Sequence, residues 1–307
     1  MCGIVGIVGW NARVPADILE RATQSLAHRG PDYGGTVLLR DPKGSGGDHE
    51  IEIGLGNRRL AILDLSPLGH QPMHDPSTGN WIVYNGELYN FREVRARLEQ
   101  AGQKFTSHSD TEVILKAYAH WGENCLNEFR GMFAFAIWDV QRRLLFVARD
   151  PMGIKPLYYY ESERYFAFSS EVRTLLGTGL VPRIIDPAGL INFLTFGSVY
   201  DPNTLIDGVS ALPPGHSLTW KEGTLTLSKY WDLIDPDQTD RSADGKIRAE
   251  SEDQVAAMLD HCVRMQLVSD VPVGVFLSGG IDSSSLVGLM RRGNIRPSTF
   301  SIVFREA

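Results

Sequence analysis

Short runs of β-branched and aromatic residues recur along roughly the first half of the chain, each cut by Gly, Pro or Asn. That punctuation marks strands joined by tight connections. Ile4–Val8, Trp81–Tyr84, Phe133–Trp138, Leu144–Val147 and Tyr165–Phe168 are the expected strands. Two intervening segments, Ala16–Leu26 and Phe91–Ala101, switch to helical spacing, and a third helix is expected after Ser109, carrying Val113, Leu115, Ala117 and Tyr118. Strands in bulk with helices outside them predict an α+β sandwich of stacked antiparallel sheets. Glycine-rich DPKGSGGDHE (41–50) reads as an excursion between two strands. HSLTW and TLTLS around Lys221-Glu222-Gly223 read as a hairpin that closes a first domain spanning 1–232.

The polar segment that follows has almost no large apolar side chain and is expected to be a solvated linker, 233–250. A second unit, 251–307, then opens with a helical stripe of Val255, Leu259, Cys262, Val263 and Leu267. VPVGVFL follows as an expected buried strand, SGGIDSS as a loop, SLVGLMRR as a helix and TFSIVF as another strand. This is the start of a doubly wound α/β domain, and the chain ends after about one βαβ unit. A C-terminally truncated sequence is the expectation.

Composition narrows the class. The chain of 307 residues is 43% apolar, enough for a sizeable core in two domains. Its 37 acidic and 30 basic residues give a net charge of -7 with no basic cluster, so neither nucleic acid nor a membrane is an expected partner. Cys2, Cys125 and Cys262 stand far apart and outside metal-ligand spacing, which points to a reducing, cytoplasmic setting. The apolar start MCGIVGIVGW lacks a basic leader segment and is too short to span a bilayer.

Cys2 moves the reading from fold to chemistry. Once Met1 is trimmed, Cys2 carries both a thiol and a free α-amine, with ordinary pKa values of ~8.5 and ~7.7 to 8.0. The amine can therefore take the thiol proton near neutrality, and one residue supplies nucleophile and base. Taken alone, a cysteine near a terminus is a small buried hydrophobe, and Asn85-Gly86 between apolar runs is a hairpin turn. Neither stands alone. CGIVGI at the start, HRGPD (28–32), RRLAILD (58–64), YNGELYN (84–90), SDTE (109–112) and RDPMGIKPLYY (149–159) resemble, in this order, the class II glutamine amidotransferases.

The resemblance implies an N-terminal-nucleophile hydrolase sandwich and a site for glutamine. Cys2 is then the nucleophile, while the Asn85 side chain and the Gly86 N–H hold the oxyanion. Arg59 takes the substrate α-carboxylate in a bidentate grip and Asp110 takes the α-ammonium, with Asn85, Gly86 and Glu87 completing the glutamine contacts. His28 and Arg29 are expected to brace the cysteine end. Lys155 and Tyr158 read as part of a Pro-punctuated turn entering a strand.

In the second unit, a strand, a glycine loop and an apolar helix present backbone N–H groups to an anion. Leu277, Ser278, Gly279, Gly280, Ile281, Asp282, Ser283 and Ser284 form this loop, which lacks the lysine of the common nucleotide-binding loop and resembles the SGGxDS pyrophosphate loop of ATP pyrophosphatases. The resemblance implies ATP as co-substrate, with Asp282 helping to hold Mg2+, and no prosthetic group. Joined in this order, the two units resemble the glutamine-hydrolysing asparagine synthetase family, which implies glutamine, ATP and aspartate as substrates and an adenine-nucleotide α-hydrolase-like second domain. A related amidotransferase acting on a cell-envelope sugar or peptide carboxylate, and a non-catalytic glutamine-binding module, are the alternatives. A homodimer is open.

Overall fold

The computed structural model describes residues 1–41, 49–233 and 249–303. Residues 42–48 of the glycine-rich excursion and 234–248 of the expected linker lie outside the described residues. The chain divides into two compact units, Met1–Leu233 and Ile234–Ala307.

Twelve strands and five α-helices build the described part of the first unit. The strands are β1 (Gly3–Trp10), β2 (Tyr33–Asp41), β3 (Ile51–Arg59), β4 (Met73–His74), β5 (Trp81–Leu88), β6 (Gly131–Asp139), β7 (Leu144–Arg149), β8 (Tyr158–Glu161), β9 (Tyr165–Ser169), β10 (Val209–Ala211), β11 (His216–Lys221) and β12 (Thr224–Lys229). The helices are α1 (Ala16–Ser25), α2 (Phe91–Gln100), α3 (Asp110–Trp121), α4 (Val172–Gly177) and α5 (Pro187–Phe196). One six-stranded sheet runs β10-β8-β9-β1-β3-β2 and the other β12-β11-β7-β6-β5-β4. All their strand pairs are antiparallel.

Alternation along the central strands explains the layering. Ile4 and Val8 of β1 join Ala134, Ala136 and Trp138 of β6 and Leu145 and Val147 of β7 in one buried cluster between the sheets. The intervening residues point the other way: Val5 packs with Leu19, Ala22 and Leu26 at α1, and Ile7 with Leu175 of α4. On the second sheet Phe146 stacks against Tyr118 of α3 at 5.3 Å. Strands buried on both faces form the two inner layers, with helices outside, as the α+β sandwich requires.

Neither β2 nor β3 stands among the strands named from sequence. Polar residues interrupt the apolar alternation of IEIGLGNRR, yet β3 is almost wholly buried. Glu52 is the cause: its carboxylate accepts from Val14 N at 2.5 Å and Arg40 Nε at 2.6 Å, so a buried charge is matched by donors no local pattern reveals. Burial raises the carboxyl pKa, but the Val14 N–H, Arg40 and Arg13 outweigh it and hold it below the ordinary Glu range.

The second unit has α6 (Ala249–Gln266), then β13 (Gly274–Phe276), α7 (Ile281–Arg292) and β14 (Ser298–Phe300). β13 and β14 pair in parallel, giving one βαβ unit. The expected buried strand in VPVGVFL is corrected here. Only three of its residues are strand, and Phe276 is 83% exposed, because among the described residues β13 pairs with β14 alone and no layer covers that face.

Gly6 of β1 sits opposite Phe168 of β9, whose ring lies across it; an added Cβ would come within 2.1 Å of a ring carbon. Gly6→Ala should therefore displace Phe168 from the core between the sheets and destabilise the first unit by about 1–3 kcal/mol, read as a lower thermal midpoint.

Candidate active site

The site forms where the N-terminal end of β1 meets the C-terminal end of β3 and the middle of β5. Register places Gly3 beside Arg58, so Cys2 projects past the last ladder pair toward the segment after Arg59. There its Sγ lies 3.4 Å from the Leu60 N–H that donates to it and 3.7 Å from the Leu60 carbonyl. Arg29 fixes the backbone from the other side, its Nε donating to the Cys2 carbonyl at 3.0 Å and its Nη1 to Glu171 at 3.1 Å. His28 contacts the same Glu171 carboxylate at 2.8 Å. Burial pushes the Cys2 thiol pKa up despite the Leu60 N–H, which favours a neutral thiol at rest.

A cavity of about 50 Å³ opens beside this sulfur, and its walls include Met1, Arg59, Asn85, Gly86, Glu87, Asp110 and Lys155. The six glutaminase-site residues expected from sequence are thus brought together. Asn85 and Gly86 do not form a hairpin turn: they lie inside β5, paired with Ala134 and Phe133 of β6. An added Cβ at Gly86 would lie 2.3 Å from the Met132 carbonyl, so the neighbouring strand leaves no room for a side chain. Both polar atoms of the buried Asn85 side chain lack a hydrogen-bond partner. Such groups are rare, since each costs about 1–3 kcal/mol, and one lining a cavity marks a place for a polar ligand.

Asp110 opens α3, where the preceding Ser109 caps the helix by accepting from Thr111 N at 3.1 Å. One Asp110 carboxylate oxygen accepts from Tyr84 Oη at 2.9 Å and Leu88 N at 3.0 Å. Burial nonetheless raises its pKa, and a cation entering the cavity would favour the charged form. Arg59 is held by the following loop, with Nη2 donating to the carbonyls of Leu63 at 2.8 Å and Asp64 at 2.6 Å. Its Nη1 makes only a 3.5 Å contact to the Ser66 carbonyl. Glu87 is half-buried and its pKa is raised by that burial.

Among the cavity residues not singled out for the site from sequence, three bear on its geometry. Tyr84 supplies the hydroxyl that positions Asp110. Gln71 lies beneath: its Oε1 accepts from Tyr84 N at 2.6 Å and Asn57 Nδ2 at 3.2 Å, and its Nε2 donates to Thr111 Oγ1 at 3.3 Å. Lys155, expected as part of a turn, is carried into the cavity by that turn. Tyr84 and Lys155 lie inside motifs already noted, whereas nothing around Gln71 signals its task.

In the second unit the loop joins β13 to α7. Ser278 and Ser283 hydroxyls are 3.1 Å apart, Gly280 N donates to Ser278 Oγ at 3.4 Å, and Ser283 Oγ donates to the Gly280 carbonyl at 3.2 Å. Gly280 occupies the N-cap of α7 and no side chain caps the helix, so its first N–H groups suit an anion. Asp282 lies in the first turn and is exposed, and among the described residues no group of three or more His, Cys, Asp or Glu could hold a metal. No described helix is long and apolar enough to cross a membrane.

The thiol of the second residue sits on the rim of an antiparallel sandwich, with an amide and opposite charges around one cavity, which is the fold and layout of the N-terminal-nucleophile amidotransferases. The chain belongs to the glutamine amidotransferase domain family, whose model matches residues 1–231, and residues 254–307 match the asparagine synthase model. Among its relatives are the glutamine-hydrolysing asparagine synthetases 3 and 1 of Bacillus subtilis strain 168, 35% and 36% identical and each aligned over 100% of this chain but only 48% and 46% of their own lengths. Amidase chry2 of Gibberella zeae is 37% identical over 92% of this chain and 40% of its own. The chain thus spans about half the length of these relatives, or less. The solved structure of glutamine phosphoribosylpyrophosphate amidotransferase from B. subtilis shares the fold, with a TM-score of 0.54 at 21% identity over 76% of this chain and 50% of that one.

Gln71→Leu should leave the Tyr84 N–H and the Asn57 amide without their acceptor and destabilise the first unit by about 1–3 kcal/mol, as chemical denaturation would measure.

Proposed function

We propose that the first unit hydrolyses glutamine with Cys2 as nucleophile and its own α-amine as base after Met1 is removed. Arg59 takes the substrate carboxylate and Asp110 its ammonium, which leaves the carboxamide to reach the sulfur. The thiol proton passes to the amine as Sγ bonds to the amide carbon, and the displaced electron pair rests on oxygen. Asn85 and the Gly86 N–H receive that oxyanion. The amine then returns the proton to the leaving nitrogen as the C–N bond breaks, giving ammonia and a thioester, which water hydrolyses to glutamate. The observation that carries this reading is the buried, unpartnered Asn85 carboxamide in the same cavity as Cys2, Arg59 and Asp110. The three cysteines are free, as a thiol nucleophile requires.

The second unit extends the reading to a two-step ligase in a domain arrangement of 1–232, a linker over 233–250 and 251–307. Leu277 to Ser284 would cradle the pyrophosphate of ATP, with Asp282 offering one oxygen to Mg2+. Aspartate is the proposed acceptor: adenylation converts its β-carboxylate, which repels nucleophiles, into an acyl group with a good leaving group, and ammonia displaces AMP to give asparagine. The names of the B. subtilis relatives support asparagine as product.

A glutamine-analogue diazo-ketone should label Cys2 and leave Cys125 and Cys262 untouched, as peptide mass spectrometry would show. Asn85→Ala should lower glutaminase kcat by about 100- to 1000-fold with little change in KM. Its thermal midpoint should hold or rise, because no partner is orphaned. Unchanged kcat in Asn85→Ala would remove Asn85 from the oxyanion site.

A further inference from the structure

Lys155 is 4% exposed, and what remains accessible of it lines the cavity beside Met1, Cys2 and Glu87, where no hydrogen bond or ion pair engages its ammonium among the described residues. The backbone fixes where it points. Asp150 accepts from the N–H groups of Met152, Ile154 and Lys155 at 2.9 to 3.0 Å, and Arg149 Nε donates to the Lys155 carbonyl at 2.9 Å. This turn delivers the side chain to the wall that Met1, Cys2 and Glu87 share. A cation held at a cavity wall by a turn this firmly fixed acts on the groups that share the wall.

The charged groups around the Cys2 end and Lys155 come from several elements: Arg29 after α1, Arg59 of β3, Glu87 of β5, Asp110 of α3, and Asp150 and Lys155 after β7. The Asp150 carboxylate is occupied by the N–H groups of its own turn. Most already have partners or acquire them. Arg29 is paired with Glu171, and in the proposed complex Arg59 and Asp110 are taken by the two charged ends of the substrate. Glu87 opposes Lys155, but burial raises its pKa and weakens that opposition. Lys155 is then the uncommitted charge at the reacting end.

We propose that Lys155 is a positioning residue that keeps the Cys2 α-amine unprotonated at neutral pH, so that the amine is free to take the thiol proton. A fixed cation disfavours a second positive charge on the amine and favours negative charge on the sulfur. Met1, Cys2 and Lys155 line one cavity, and burial lowers the pKa of the Met1 amine there, with Lys155 and Arg29 adding to that shift against Cys2 and Glu87. Lys155 itself has its pKa lowered by burial, with Arg29 adding to that shift, against the pull of Glu87, Cys2 and Asp150. The proposal rests on the reading of Cys2 as its own base.

The test uses the whole chain with Met1 removed, and it follows iodoacetamide modification of the Cys2 peptide against pH without glutamine, alongside the pH profile of glutaminase kcat/KM. In Lys155→Met both the alkylation midpoint and the acid limb should move up by about one pH unit, roughly tenfold in rate at fixed pH on that limb. Lys155→Arg should return both toward the parent. Lys155→Gln reads the same shift should Lys155→Met not fold. An unmoved or downward-shifted alkylation midpoint in a folded neutral variant overturns the role of Lys155. Absence of glutamine turnover in the parent overturns the glutaminase reading instead, and the alkylation midpoint distinguishes the two failures.

Discussion

The structure depends on how the start of the chain is pinned. A free terminus ordinarily frays, yet here the strand after Cys2 runs between β3 and β9 and is buried on both faces. Arg29 grips the Cys2 carbonyl while the Leu60 N–H meets the sulfur. Ser170 adds a third hold: its Oγ accepts from Ile4 N at 3.0 Å, and its own N–H donates to the Ile4 carbonyl at 2.9 Å. The segment from Cys2 to Ile4 is thereby held at several points, as the reaction proposed at Cys2 requires of its atoms.

Two kinds of strain accompany this order. Asn85 keeps both polar atoms of its carboxamide buried and unpartnered, and Lys155 holds a largely buried cation at the cavity wall with no hydrogen-bonded counterion among the described residues. Natural folds tolerate such costs where function demands them. The rest of the first unit compensates through closely packed aromatic residues, from Phe166 and Phe168 between the sheets to Phe133, Phe135 and Phe146 beneath α3. Met1 lines the same cavity, so its removal would uncover an amine there and take one wall residue away.

Much of the sandwich was legible because its central strands alternate cleanly, as in GIVGIVGW and GMFAFAIWD, and because Ser109 marks a helix start with ordinary chemistry. β3 was not legible because its buried glutamate is neutralised by Arg13 and Arg40, one of them distant in sequence. The motif residues that gather around Cys2 were legible as a set, although Asn85-Gly86 would mislead on local grounds: only the long-range pairing of β5 with β6 makes it extended. Gln71 and Lys155 were missed for a related reason. What they do depends on where a turn and a loop deliver them in space, which neighbouring residues do not encode.

The most direct measurement of the central claim is the glutaminase rate of the chain with a free Cys2 amine against that of the same chain with Met1 retained, each form verified by intact mass. The account predicts loss of at least about 100-fold when Met1 remains, since the general base is then an amide nitrogen and the cavity is still obstructed. Equal rates in the two forms would contradict it.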